Sequence, residues 1–482
     1  MLKRLRVRGN RTTVELEVER LQAENLRLRV LVAELRAENA EMQQRIAVLE
    51  SKLATNSRNS SKPPSSDGPQ VPLRKREPGS RGRGGQPGHE GTSRRLVPAE
   101  QVDEIVDCRP TSCESCGALL EGDNPAPERH QVVDIPTPKV IVREYRRLRL
   151  SCRACGSTTT GALPAGVSDS AFGVGLHTLA AILVGRFRQS KRLVVELFGM
   201  LHGLSISPGS ICAMEQRVEV ALEGPVTEAR KVRKSAPVVG KDEISWRHLK
   251  SRAWLWVTAT ECLAVVTITR RRGSVIVKEI LGESFGGVVC SDRWSAYAHL
   301  ERRQLCWARL LRDFTAMVEH FGSPWHGQRR VDCARQVMDA DAALRAGEID
   351  HADMVSRLEP VRRRTLDRLT WAAKSAPGPK ARAKAQEILK IEDHLWAFPV
   401  DATIPVTNNL CERLLRYAVI WRKLSYRTES DMGARFVKRI LTVTASIELQ
   451  HRDVFGYLSS AIDAHFHGQT APSMLPVTSD AG

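Results

Sequence analysis

A chain of 482 residues with 42% hydrophobic side chains has the length for roughly two to four domains, which excludes a wholly disordered protein while leaving segments outside any core. Its formal net charge of +18 points to a polyanionic partner, and no apolar run approaches the ~18–20 residues of a membrane-spanning helix, so nucleic acid is favoured and a membrane is not. The basic N-terminus, MLKRLRVRGNRTT, lacks the apolar stretch of a signal peptide, and eleven cysteines fit a reducing compartment such as the cytoplasm, where paired cysteines are metal ligands before they are disulfides.

Residues 14–54 carry two interleaved series, Val14, Leu21, Leu28, Leu35, Met42, Leu49 and Val18, Asn25, Val32, Asn39, Ile46, Leu53, spaced by alternating steps of four and three. That spacing is the seam of a parallel coiled coil, with leucine at d and with Asn25 and Asn39 at a, where a buried Asn pair costs stability but fixes register and two-strandedness. Residues 1–54 are therefore expected to form a basic arm and a leucine zipper that makes a homodimer or higher oligomer. Residues 55–100 are dense in Ser, Pro, Gly and Arg and cannot bury enough apolar surface to offset the entropy of ordering, so a disordered basic linker is expected, able to track phosphates.

Within residues 101–165, Cys113-x-x-Cys116 and Cys152-x-x-Cys155 stand 39 residues apart, each pair followed by a glycine, Gly117 or Gly156. Four thiolates satisfy tetrahedral Zn²⁺ and leave no open coordination position, which makes the expected site structural and the unit zinc-ribbon-like. Cys108 is a spare thiol. Residues 166–235 turn helical: KRLVVELFGMLHG ends at Gly203, and Ser207-Pro208 opens a second helix as N-cap and N1. Helix, short turn, helix is the arrangement by which Ser210, Gln216 and Arg217 could face DNA, and equally the arrangement of two helices that only pack together.

From Ala236 the pattern changes to strands. PVVGKDE ends in acids, RAWLWVTAT and LAVVTIT follow, a helix over about 274–281 comes next, and GGVVCSD is a second buried strand ending in an acid. This order is that of a ribonuclease-H-like core, in which the first and fourth strands lie side by side and bring Asp242 within reach of Asp292. Phosphodiester chemistry needs an activated oxygen nucleophile and charge stabilisation at the leaving oxygen, and two Mg²⁺ or Mn²⁺ ions about 3.5–4 Å apart on carboxylates supply both. TNNLCERLLRYAVIWRKLSYRT offers a third acid, Glu412, with Arg413, Arg416, Arg422 and Lys423 downstream to meet phosphates. Two alternatives stand beside this reading: Asn409-x-x-Glu412 as a plain capping box, and Glu243 in place of Asp242.

These residues carry a resemblance. The zipper, SSKPPSSDG at 60–68, GRGGQPGHEG at 82–91, the two CxxC pairs, Asp242-Glu243 before RAWLWV, SDRWSAY at 291–297, CWA at 306–308 and NNLCERLLR at 408–416 occur in the order seen in transposases of the insertion sequence 66 family, which the chain resembles over nearly its whole length. The resemblance implies a multidomain α+β protein whose catalytic core spans 236–325 and 401–465, with an all-helical insertion at 326–400 and a disordered tail at 466–482. It maps a metal-binding triad onto Asp242, Asp292 and Glu412, and it implies a bacterial, nucleoid-associated protein that acts on double-stranded DNA, both transposon ends and target, with small accessory proteins as further partners. Strand cleavage and transfer would proceed without a covalent protein–DNA intermediate. Three positions depart from the family: Ile244 replaces the usual Thr, Arg309 the usual His after CWA, and Thr407 the usual Asp. None removes a triad carboxylate. The alternative function is a non-catalytic DNA-binding regulator, or a decayed copy.

Overall fold

The computed structural model describes residues 13–53, 56, 96–122, 127–135, 139–320, 324–376 and 379–476. The basic arm, most of the linker expected over 55–100 and residues 477–482 of the tail lie outside the described residues.

Helix α1, Thr13–Leu53, is one unbroken 41-residue helix. From Val18 onward both heptad series are exposed, with Leu21, Leu28 and Leu35 each more than half so. In the cysteine-rich region, strands β1 (Arg149–Ser151) and β2 (Thr158–Thr160) pair antiparallel around the second CxxC turn, and an isolated bridge between Ser112 and Leu119 frames the first.

Residues 238–305 build a five-stranded mixed sheet from β3 (Val238–His248), β4 (Ser251–Ala259), β5 (Ala264–Thr269), β6 (Val288–Ser291) and β7 (Arg303–Leu305), in the order β5-β4-β3-β6-β7. β3, β4 and β5 form an antiparallel meander, whereas β6 joins β3 in parallel with Gly240 opposite Cys290, and β7 continues in parallel. A parallel partner requires a crossover, which helix α6 (Ser274–Leu281) provides; its Ile276, Val277 and Ile280 pack with Val239, Trp256 and Tyr297 on one face of the sheet.

The opposite face is covered by helices from both ends of the catalytic region. Helices α2 (Val174–Ala181), α3 (Lys191–His202), α4 (Pro208–Ala221) and α5 (Glu223–Lys234) share one core with β4, β5 and the late helices α11 (Asn409–Ser425), α12 (Asp431–Leu449) and α13 (Val454–Phe466). Sequence reading sets 166–235 apart, but the apolar stripes of α3 and α4 (Val194, Phe198, Ile211, Met214, Val218) are buried in this common core, so the expected 235/236 boundary runs through one packed unit. The turn between α3 and α4 follows its residues: Gly203 takes φ 65°, and the Ser207 hydroxyl accepts from the Ser210 amide at 3.0 Å ahead of Pro208. A third core unites helices α7 (Trp307–His320), α8 (Pro324–Arg345), α9 (His351–Ser375) and α10 (Pro379–Leu389), so the helical insertion between β7 and α11 packs as one unit that takes in α7 as well as the residues 326–400 expected for it.

Both sheet edges are covered. The β5 amides of Ala264 and Val266 donate to Ser446 Oγ (3.0 Å) and Thr442 Oγ1 (2.9 Å) of α12. At β7, the Gln304 side chain accepts from the amides of Ala397 (2.9 Å) and Phe398 (3.0 Å) and donates to Leu395 O (3.0 Å).

The start of α11 is set directly on β3. Asn408 donates to Lys241 O at 2.9 Å, and a Cβ added at Gly240 would lie 2.8 Å from both Asn408 Oδ1 and Cys411 Sγ. Gly240→Ala should therefore force α11 off the strand and destabilise the protein by about 1–3 kcal/mol, measurable by urea unfolding; an unchanged midpoint would show that this contact is not tight.

Candidate active site

The strand register brings two of the acids to one level. β3 and β6 are parallel with Gly240 opposite Cys290, so two residues further on Asp242 comes level with Asp292, just past the end of β6. Side chains alternate along a strand, and Asp242 shares its face with Gly240, hence with α11, and is only 9% exposed. Asp292 Oδ1 accepts from the Trp294 amide at 2.9 Å, which fixes the turn after the strand. Glu412 enters from the first turn of α11.

The carboxylates converge on one guanidinium. Arg309, at the start of α7, places Nε 2.9 Å from Glu412 Oε1 and Nη2 3.8 Å from Asp242 Oδ2, while Arg312 Nη2 lies 3.6 Å from Glu412 Oε2. Although Glu412 Oε1 is within ion-pair distance of Arg309, no N–H is aimed at it in hydrogen-bonding geometry, leaving a buried carboxylate oxygen without a donor. Burial pushes the Asp242 carboxyl up to about 8, against the pull of Arg309 and with the charges of Glu243 and Asp292 adding to the rise. Among the described residues, no three His, Cys, Asp or Glu side chains lie close enough to share an ion. The donor set nevertheless fits a hard divalent cation: three carboxylates on adjoining elements, one with an oxygen lacking a donor.

The two alternatives for these acids separate on contacts. Glu243 points to the other face of β3, where Tyr297 Oη donates to it at 2.7 Å and Arg272 at 2.6 Å. Glu412 is in no capping box: the Asn408 cap makes no side-chain cap bond, and the carboxylate turns to Arg309 and Arg312. Sequence reading singled out neither Arg312 nor Arg293, and Arg309 only as a departure. Arg293 ties the loop after Asp292 to Asp313 of α7 (2.7 Å), which Lys384 of α10 also meets at 2.6 Å. The only sequence signal for these pairs is a run of basic and acidic residues on helices, which surface faces share.

Of the expected DNA contacts, Arg413, Arg416 and Lys423 stand exposed on the outer side of α11, and Gln216 is exposed on α4. Arg422 instead turns inward and donates to Ser245 O at 2.6 Å, and Arg217 is held by Asp169 at 3.1 Å. The two CxxC turns are built alike. Cys113 and Cys152 each donate an amide to the residue five on, Ala118 (2.8 Å) and Ser157 (2.7 Å), and each accepts from the glycine four on, Gly117 (2.8 Å) and Gly156 (2.9 Å), both glycines at φ 72°. That φ lies in the left-handed region natural to glycine. Backbone donors within the first turn lower the Cys113 thiol, and Ser157 lowers that of Cys155. Both effects favour the thiolate, the metal-binding form. The turns remain two separate pairs among the described residues.

A mixed sheet carrying acids at neighbouring strand ends and two like-built CxxC turns is the frame on which the family comparisons fall. Residues 173–436, more than half of the chain, match the transposase IS66 family, and residues 110–156 match the zinc-finger binding domain of transposase IS66. The chain belongs to the IS66 family of transposases. Residues 12–95 match a family of unknown function (DUF6444), and no curated protein matches the chain. The family implies DNA as partner and the use of divalent metal, and the zinc-finger match implies zinc. Among the described residues, no helix is long and apolar enough to cross a membrane.

Next to Asp242, Lys241 is fully buried on the opposite face of β3, its Nζ 3.3 Å from Thr258 Oγ1 and 4.8 Å from the Trp256 ring centroid, and burial draws its ammonium down to about 7. The unfolded chain keeps that proton up to the ordinary 10.5, so wild type gains stability as pH rises from 7 to 10.5 and bears the full cost of the buried charge below 7. Lys241→Met should stabilise the protein by about 1–4 kcal/mol near pH 6 and by much less near pH 9.5. Equal gains in urea unfolding at both pH values would count against a buried ammonium.

Proposed function

We propose that this transposase cuts the repeats at its element's ends and joins them to target DNA at Asp242, Asp292 and Glu412, in a ribonuclease-H-like core. The observation that carries the reading is the convergence of two of these carboxylates, from β3 and α11, on the Arg309 guanidinium, with the third brought level by the β3–β6 register. Two Mg²⁺ or Mn²⁺ ions held there would supply an activated oxygen nucleophile and charge stabilisation at the leaving oxygen. In this scheme Asp242, Asp292 and Glu412 would together hold the ions. Asp242 must lose its proton, which burial holds on up to about pH 8, and Arg309 must yield the Glu412 and Asp242 oxygens. Arg413, Arg416 and Lys423, exposed on α11, then hold the DNA backbone. No Ser or Tyr nucleophile is needed.

The four cysteines would hold one structural Zn²⁺ once the two CxxC turns close on it. A second copy of the chain would cover the apolar seam of α1, because a 41-residue helix exposing Leu21, Leu28, Leu35, Met42 and Leu49 at heptad spacing leaves apolar surface that pairing removes from water. The dimer would span two element ends.

Three experiments bear on this. A labelled duplex carrying the flanking inverted repeats should be nicked at the repeat boundary with Mg²⁺ or Mn²⁺ by wild type and not by Asp292→Ala, while Arg309→Gln, lacking the competing charge, should bind Mn²⁺ about tenfold more tightly (~1.4 kcal/mol) by calorimetry. Specific binding without cleavage under either metal would favour the regulator or decayed copy. Light scattering should give twice the chain mass for wild type and the chain mass for the double variant Leu28→Glu, Leu35→Glu; a monomeric wild type would remove the zipper.

A further inference from the structure

A cavity of about 370 Å³ opens at the far end of β3 from the triad, between that strand, β5 and the start of α12. His248, Arg270, Arg435 and Lys438 line it, with Asp431 as the acid among its lining residues. That acid is already engaged, since its Oδ1 lies 2.8 Å from His248 Nε2. Arg435 is held by Glu219 at 2.8 Å. Lys438, half-buried, makes no hydrogen bond and no ion pair among the described residues. Burial, and then the neighbouring Arg230, Arg439 and Arg435 guanidiniums, hold its ammonium below the ordinary lysine range, outweighing the opposite pull of Glu219. A partly desolvated ammonium among guanidiniums is an environment that an anion relieves.

The cavity lies on the triad's face of the sheet, because His248 and Asp242 are six residues apart on one strand and side chains two apart share a face. Helix α11 links the two places. Its start is fixed to Lys241 by Asn408, Arg422 reaches Ser245 O, and Thr428, just past its end, takes Arg247 O at 3.1 Å. Between them α11 and its exit expose Arg413, Arg416 and Lys423, with Arg427 beyond them paired to Glu429, a basic track from the acids towards the cavity.

We propose that this cavity seats a backbone phosphate of the bound DNA, about six nucleotides from the phosphodiester that is cut. Six strand residues span roughly 20 Å, and one DNA strand carries a phosphate every ~3.4 Å of helix axis. The spacing rests on the triad reading; the phosphate seat itself does not.

The test uses the full-length chain and a repeat-bearing duplex, with binding followed by fluorescence anisotropy between about 50 and 200 mM salt. Lys438→Gln and the exposed Arg270→Gln should each weaken binding several-fold and reduce the slope of log affinity against log salt by about one, with thermal melting confirming that each variant is folded. Methylphosphonates placed singly at four to eight nucleotides from the boundary should weaken wild type most near the sixth, and should weaken Lys438→Gln no further there. Slopes and affinities equal to wild type in both folded variants would overturn the proposal. So would protection of the cavity by inorganic phosphate with no effect of any methylphosphonate, which would make it a free-anion site only. Cleavage by Asp292→Ala, measured alongside, would sink the triad reading and the six-nucleotide spacing while leaving the seat to stand on the salt slopes.

Discussion

Carboxylates gathered in a half-buried site repel one another, and each has given up water to be there. Here the compensation is a single guanidinium: Arg309 sits between Asp242 and Glu412, with Arg312 behind it on the second Glu412 oxygen. Much of the surrounding architecture can be understood as what holds that arrangement in register. The parallel pairing of β3 with β6 sets the two aspartates level, and the close seat of α11 on Gly240 sets the glutamate. An arginine is always charged and forked, so it can bridge two acids where a neutral ring could serve only one. The same property makes it a competitor for any cation those acids would bind.

The helical insertion belongs to the same arrangement. It leaves the sheet after β7, contributes Arg309 and Arg312 from its first helix, and returns at α11 with Glu412. Arg293, beside the second aspartate, is paired with Asp313 of α7, and Lys384 of α10 closes on the same acid. The insertion is thus a second wall of the site, and its own core of apolar helix faces holds that wall rigid.

How much of this was legible in the sequence depends on how local the cause is. The Ser207-Pro208 cap and the Gly203 stop are set by backbone chemistry within a few residues, and they stand where the residues put them. The glycines after each CxxC pair take the left-handed φ that such turns need. The split between Asp242 and Glu243 was not legible, because two adjacent acids on a strand point to opposite faces and only the partners across the sheet decide which face holds Tyr297 and Arg272. The inward turn of Arg422 was hidden likewise: its spacing from Arg413 and Arg416 reads as one basic stripe, yet the Ser245 carbonyl captures it. The joining of residues 174–234 to the late helices depends on contacts more than two hundred residues apart, such as Arg439 with Glu219, which no local pattern carries.

The covered edges of the sheet bear on how copies of this protein live together. Hydroxyls of α12 take the outward amides of β5, and the Gln304 amide binds the segment at 395–398 alongside β7. An open strand edge is a template on which a neighbouring chain can add its own strand, and the hazard grows with crowding. Copies of a DNA-binding chain meet at high local concentration wherever several of them share one piece of DNA. With neither rim of the sheet offering a free row of backbone groups, such copies can crowd together without knitting into fibres, and their association is left to surfaces that come apart again.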